Sequence, residues 1–352
     1  MHFKSKADEP FGTASVYKLP LGVVLVISPF NFPIALALRP LSAAIAAGNT
    51  VVLKPSENSE NASTVLADTL AEFPPELIVV VEGDARVSTA LLEERYNHVF
   101  YTGSPAIGRV IMTAAAQHLT PVTLELGGKC PCVILDDSPD IKKVAEAVAK
   151  SKWLNAGQVC LSVDYILVTP AVKDAFIAAL KAAIPAVYGE HPSKSPLYSR
   201  MINTNHFNRV INMIKHTDGK LLYKSIDANS HDEKFIGPHV YEVTAEDKLM
   251  DDEIFGPLVS ILTVEDLDAA IKFINKGEKP LAAYVWTTDE KKVERFFQEV
   301  HSGNSVSNAL MTNYWSIQIP FGGVGESGIG RYHGKYGFDT FTHEKGVIRT
   351  PL

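Results

Sequence analysis

The sequence predicts an α/β protein whose first part is a doubly wound sheet of parallel strands. Three observations predict it. Short runs rich in Val and Leu alternate with helical stretches through the first third of the chain. A second strand–helix series begins near residue 141. At 352 residues, 46% hydrophobic and 21% charged, the chain is long and apolar enough for two core-bearing units.

In order, LGVVLVIS (21–28), TVVLKPS (50–56), ELIVVVEG (76–83), HVFYTG (98–103) and PVTLEL (121–126) read as buried strands, with helices between them. In SPAIGRVIMTAAAQH, Ser104 is placed to cap a helix, Pro105 sits in its first turn, and Ile107, Val110, Ile111, Ala114 and Ala115 share a face. Strand, helix, strand in this rhythm means right-handed crossovers between parallel strands. After DDSPD a helix from about Ile141 to Trp153 runs into NAGQVC. DYILVTP then reads as a strand and AVKDAFIAALKAAI as a helix. Between about Tyr188 and Met250 the pattern weakens, and SIDANSHDEK reads as a surface loop. LVSILTV, DLDAAIKFIN, LAAYVWT and EKKVERFFQEV restore the alternation. The glycine-dense IPFGGVGESGIGRYHGKYG reads as a folded loop rather than a core element. FDTFTHEKGVI reads as an exposed strand that pairs with GTASVYKL in a small sheet, a natural oligomer contact.

A net charge of -7 argues against nucleic acid as the main partner, since binding phosphate backbones wants a basic face. Three cysteines cannot build a disulfide framework and suit a reducing compartment. The start, MHFKSKADEPFGTAS, lacks a signal-peptide core, and LGVVLVISPF is too short to span a bilayer. The expectation is a cytoplasmic protein with no integral membrane segment. Eleven histidines occur without metal-site spacing, and Cys130 and Cys132 read as strand residues, so no metal is expected.

Cys160, in WLNAGQVCLSVDY, follows a helix and precedes a strand, where a loop can present a thiolate nucleophile. Taken alone it reads as a buried structural cysteine. Neither the G-x-G-x-x-G fingerprint nor a P-loop is present. Gly103 and Ser104 nevertheless end a strand and open a helix whose N–H groups can face a pyrophosphate, and Gly108 permits close packing. A plain βα turn looks the same.

ISPFNFP, LKPSE, FYTGSPAIG, LELGGK, NAGQVC, DDEIFGP and PFGGVGESG occur in the order found in aldehyde dehydrogenases, and over nearly its whole length the chain resembles that family. LTPVTLELGGK, YGEHPSKSP and GRYHGK are most similar to the class 3 branch, which takes fatty and aromatic aldehydes; fungal apocarotenal dehydrogenases of that branch are a further comparison. The resemblance implies a Rossmann-type cofactor domain (21–126), an α/β catalytic domain (127–330) and an oligomerisation arm made from residues 1–20 and 331–352. It implies that Cys160 adds to the aldehyde carbon and later carries a thioester, that Glu125 is the base for the hydrolytic water, and that Asn31 joins the Cys160 N–H in the oxyanion hole. By themselves Glu125 reads as a strand-end carboxylate pairing with a lysine, and Asn31 as a turn residue.

For the cofactor, the resemblance implies Lys54 and Glu57 on the adenosine ribose, Gly103, Ser104, Gly108, Leu126 and Gly127 along the dinucleotide, and Glu253 and Phe255 at the nicotinamide ribose and ring. A carboxylate near the ribose 2′-hydroxyl favours NAD, with NADP the alternative that class 3 relatives also use. Asn308 and Phe321 match substrate-channel positions. The expected partners are a small-molecule aldehyde and a second copy in a homodimer. The helical segment that in the family precedes the first cofactor-domain strand is missing, which is expected to expose apolar surface. Two other readings follow: an inactive cofactor-binding or assembly protein of the same fold, and a thiol esterase using Cys160, Asn31 and Glu125.

Overall fold

The computed structural model describes residues 7–10 and 12–351. Of the arm segment 1–20, residues 1–6 and 11 lie outside the described residues, as does Leu352. The chain forms two compact units. The first comprises Met1–Glu125, Ser316–Phe321 and Ile329–Leu352, and the second Leu126–Trp315 and Gly322–Gly328.

The first unit opens with β1 (Ala7–Glu9) and β2 (Gly12–Pro20), then β3 (Val23–Ile27), α1 (Ala35–Ala46), β4 (Thr50–Lys54), α2 (Glu60–Leu70), β5 (Ile78–Val80), α3 (Ala85–Glu93), β6 (His98–Thr102), α4 (Pro105–Ala116) and β7 (Val122–Glu125). Strands β7-β6-β3-β4-β5 lie side by side in that order, all parallel. Helices cover a parallel sheet on both faces, and β6 accordingly is buried at every residue. Ser104 caps α4, its Oγ accepting from the Ile107 N–H, with Pro105 in the first turn. The face expected for α4 needs correction. Gly108, Ile111 and Ala115 are its buried residues, whereas Ile107 and Val110 are about half exposed. Two small residues flank Ile111 at helical spacing and let that stripe approach closely, which turns the larger side chains outward.

The second unit runs β8 (Cys130–Ile134), α5 (Ile141–Lys152), β9 (Val163–Val168), α6 (Pro170–Tyr188), α7 (Thr204–His216), β10 (Lys220–Lys224), β11 (His239–Glu242), β12 (Leu258–Thr263), α8 (Leu267–Lys276), β13 (Ala282–Trp286), α9 (Glu290–Glu299) and β14 (Asn304–Ser307). Its sheet order is β10-β11-β12-β9-β8-β13-β14, antiparallel only at the β10 edge. The expectation of a weak pattern between about 188 and 250 needs correction at α7, where Phe207, Val210, Ile211 and Ile214 recur at helical spacing; β10, β11 and β14 are not signalled. Helix α7 buries only Phe207 and Val210 completely, β10 is an exposed edge, and β11 and β14 are four residues long.

The chain's last part returns to the first unit. The loop after Ile319 is irregular, yet it supplies core: Phe321, Tyr332 and His333 are buried, and Tyr332 packs edge-on against Phe100 at 5.1 Å. The expectation that it contributes nothing to a core is therefore wrong for these side chains. Phe338–Thr340, expected in a strand, belong to α10 (Gly334–Thr340). The strand that follows, Thr342–Arg349, pairs antiparallel with β2, from Thr342 opposite Pro20 to Arg349 opposite Thr13. Its root is fixed by Phe341, fully buried, whose carbonyl accepts from Asn49 Nδ2 at 2.9 Å. Among the described residues no helix is long and apolar enough to cross a membrane.

Candidate active site

In the first unit the strand order reverses at β3, which has β4 on one side and β6 on the other. The crevice outside the carboxyl ends at such a reversal is where open parallel sheets hold ligands. Several expected residues lie along that edge. Lys54 ends β4, fully buried, with Nζ donating to the Pro55 carbonyl at 2.8 Å and pairing with Glu57 at 3.2 Å. Gly103 follows β6, and a Cβ there would sit 2.0 Å from the Tyr101 hydroxyl, so only glycine fits. That hydroxyl accepts from the Ser104 N–H at 3.0 Å and holds the start of α4 in place. Gly108 is buried inside α4. Asn31 stands, half-buried, in the turn between β3 and α1.

The same edge carries polar atoms with nothing to bond. Ser28 Oγ, Thr102 Oγ1 and both carboxyl oxygens of Glu125 are buried without a hydrogen-bond partner. These follow or end the neighbouring strands β3, β6 and β7, and Thr102 is the register partner of Glu125. Unsatisfied groups of this kind cost free energy unless a ligand or water meets them. Burial alone pushes the Glu125 carboxyl well above the ordinary carboxylate range. Unbonded Ser28 and Thr102 hydroxyls, with Gly103 and the N-terminus of α4 beside them, fit this crevice to a dinucleotide.

The second unit has its own reversal at β8, between β9 and β13. There the carboxyl ends are closed by the chain itself. Ser138 Oγ donates to the Trp286 carbonyl at 2.8 Å, the Thr288 N–H to the Asp137 carbonyl at 3.0 Å, and Thr287 Oγ1 and Lys292 Nζ to the Asp137 carboxylate at 2.9 Å. The expected functional residues of this unit lie mostly at the opposite, amino edge, before β8, β9 and β12.

Cys160, partly exposed, precedes β9 on a loop built from unusual backbone. After α5, Asn155, Ala156 and Gly157 all adopt left-handed φ values of 51°, 53° and 75°. A Cβ on Gly157 would sit 2.1 Å from the Gly256 carbonyl, so the loop lies directly on the turn that carries Glu253 and Phe255. Gln158, buried, donates to the carbonyls of Asn155 and Arg200 at 3.0 Å and accepts from the Ile202 N–H at 3.0 Å. Trp153 Nε1 donates to the Pro257 carbonyl at 2.8 Å.

Gly127 passes so close to Glu253 that a Cβ would lie 2.2 Å from its Oε2. Desolvation, then the Asp164 charge, raises the Glu253 carboxyl to about 8, opposed by the Gly128 N–H and by Lys129 and Arg209. Phe255 has φ 42°, rare for a bulky residue. Its turn is held by Arg209, whose guanidinium donates to the Ile254 carbonyl at 2.6 Å and the Phe255 carbonyl at 3.2 Å, and by Asp164, which accepts from the Ile254 N–H at 2.8 Å. Lys129 pairs with the other Asp164 oxygen and donates to the Leu249 and Asp252 carbonyls.

The remaining expected residues have structural partners. The Leu126 N–H donates to the Ser327 carbonyl at 3.1 Å. Asn308 lies at the carboxyl edge of the second sheet, its amide bonded to both the N–H and the carbonyl of Thr287. Phe321 belongs to the first unit, stacked on His333 at 4.8 Å. Sequence reasoning passed over Gln158, Asp164, Arg209 and Tyr284. A carboxylate inside an apolar strand, as in VDYILV, is a legible sign for Asp164; Arg209 sits on the unpredicted α7 and Tyr284 looks like ordinary strand. Among the described residues no group of three or more His, Cys, Asp or Glu could hold a metal ion.

Against known proteins, the model of the aldehyde dehydrogenase family matches residues 3–347. The chain is 46% identical over 340 residues to aldehyde dehydrogenase family 3 member F1 of Arabidopsis thaliana, covering 95% of this chain and 70% of that protein. It is 41% identical over 335 residues to 4,4'-diaponeurosporen-aldehyde dehydrogenase of Staphylococcus aureus, covering 95% and 72%. Among solved structures, an indole-3-acetaldehyde dehydrogenase complexed with NAD+ superposes with a TM-score of 0.92 at 28% identity, over 99% of this chain and 72% of that one.

Proposed function

Because this chain belongs to the aldehyde dehydrogenase family, we propose that it oxidises a hydrophobic aldehyde to the carboxylic acid with NAD, using Cys160 as covalent nucleophile. The observation that carries the reading is that Glu125, in the first unit, is a buried carboxyl group with neither oxygen hydrogen-bonded; the partly exposed Cys160 thiol, on its own loop of the second unit, supports it.

Lys54, Glu57, Gly103, Ser104 and Gly108 of the first unit would hold the dinucleotide, and Leu126, Gly127, Glu253 and Phe255 of the second would serve its nicotinamide end. When bound, the nicotinamide supplies the hydride acceptor. The Cys160 thiolate forms a C–S bond to the aldehyde carbon, and the carbonyl electron pair moves onto oxygen. Asn31 Nδ2 and the Cys160 main-chain N–H stabilise that oxygen. As the oxygen pair returns, loss of hydride to the acceptor that a bound nicotinamide would supply would leave a thioester on Cys160. Glu125 then takes a proton from water, the resulting hydroxide adds to the thioester, and the C–S bond breaks to release acid and thiolate. Aldehyde, water and oxidised cofactor give acid, reduced cofactor and a proton.

The Lys54–Glu57 pair supports NAD as the preferred cofactor and tempers the exclusion of NADP, because the ammonium offsets the carboxylate that would repel a 2′-phosphate. The class 3 relatives and the polyene aldehyde named for the Staphylococcus aureus protein support a fatty, aromatic or apocarotenoid substrate. The exposed edge strand Thr342–Arg349 supports a homodimer built through the arm, which light scattering would test. The protein acts in the cytoplasm on this reading.

The test is formation of reduced nicotinamide, followed by absorbance with aliphatic, aromatic and polyene aldehydes, NAD and NADP separately. Activity with at least one aldehyde, lost in Cys160→Ala, supports the reading. Thermal stabilisation by NAD with no turnover on any aldehyde supports an inactive binding protein instead. Ester hydrolysis indifferent to Lys54 and Glu253 substitutions supports a thiol esterase.

A further inference from the structure

Tyr284 lies in β13 with no exposed surface. Its hydroxyl donates to the Leu161 carbonyl at 2.7 Å. A trans peptide is planar, with its carbonyl and N–H pointing opposite ways. The plane that carries the Leu161 carbonyl therefore also fixes the Ser162 N–H, and this N–H donates to the Val159 carbonyl at 2.9 Å. The Val159 carbonyl shares its own plane with the N–H of Cys160. Two rigid peptide units and one hydrogen bond thus join the Tyr284 hydroxyl to the nucleophile's main-chain donor. Between them the Cys160 carbonyl accepts from the buried Cys130 thiol at 3.4 Å, so three successive carbonyls are each held from within the unit.

We propose that Tyr284 is a positioning residue for aldehyde oxidation: through the 161–162 and 159–160 peptide planes its hydroxyl sets the direction of the Cys160 N–H that meets the developing oxyanion. This rests on the role proposed for that N–H above. A donor turned away from its target loses most of its effect, since stabilisation depends on its being fixed before charge develops.

The test is Tyr284→Phe, which keeps the ring and removes only the oxygen. Aldehyde oxidation requires the oxyanion donor; alkylation of Cys160 by iodoacetamide is a displacement at carbon that forms no oxyanion. The proposal expects kcat to fall at least tenfold, the KM for NAD to stay within twofold, and the alkylation rate to stay within twofold. Unchanged kcat overturns it. So does a parallel fall in turnover and alkylation, or a variant whose melting temperature NAD no longer raises, since either shows a general structural role. Cys160→Ala, assayed alongside, separates the two claims: if it remains active the proposed function fails, whereas an inactive Cys160→Ala beside a fully active Tyr284→Phe sinks only the role of Tyr284.

Discussion

A carboxyl group buried at the end of a strand with neither oxygen bonded stays neutral, or ionises only against the cost of its surroundings. Glu125 is in that position, so its folded form holds a proton that the unfolded chain releases near pH 4.5. The folded state then binds more protons than the unfolded one, and stability falls as pH rises from about 4.5 toward the raised value. Glu125→Gln should therefore raise the melting temperature at neutral pH while lowering turnover by roughly 10²–10⁴-fold. In the wild type, kcat should climb as pH rises through the raised value, and the variant's residual rate should lack that climb. Asn31→Ala should cost roughly 10²–10³-fold in kcat at unchanged melting temperature. The roles proposed for Cys160, Glu125 and Asn31 rest on motifs whose order means more than any one of them. What the letters do not show is that Glu125 lacks partners, since that depends on what β6 and β3 place beside it.

Strands announced themselves where both faces are buried, because such strands must be apolar throughout; β6, β8 and β9 are the clear cases. The four residues of β11 carry too little pattern to be read, whereas α7 was overlooked although Phe207, Val210, Ile211 and Ile214 recur at helical spacing. The loss matters, since α7 delivers Arg209 to the turn of Glu253 and Phe255. Arg209→Lys keeps the charge but not the fork that reaches two carbonyls. It should weaken NAD binding about tenfold with little change in melting temperature, as calorimetric titration would show. The left-handed run before Cys160 is likewise invisible in NAGQ until the backbone is seen. Gly157→Ala places a methyl on the Gly256 carbonyl at a φ that disfavours it, and should cost about 2–3 kcal/mol in a denaturant titration.

Across the whole molecule, acid should act first on the unit that holds His98. Burial lowers this ring to about 4, so it stays neutral in the fold while the unfolded chain takes up a proton below 6.5. Stability is then lost as pH falls from 6.5 toward 4, by on the order of 3 kcal/mol from this group. His333 is lowered to about 4 as well and adds to the same slope. The melting temperature should drop across that window, less steeply in His98→Gln. The order of the chain has a further consequence. The first unit is begun at one terminus and finished at the other, with the second unit wholly between. On the ribosome, Phe100 and His98 emerge long before Tyr332 and Phe341, the rings that cover them. The second unit can fold while the first is still waiting for its lid. A nascent chain halted short of Tyr332 should hold a finished half and an open one, and should depend on chaperones until its last twenty or so residues arrive.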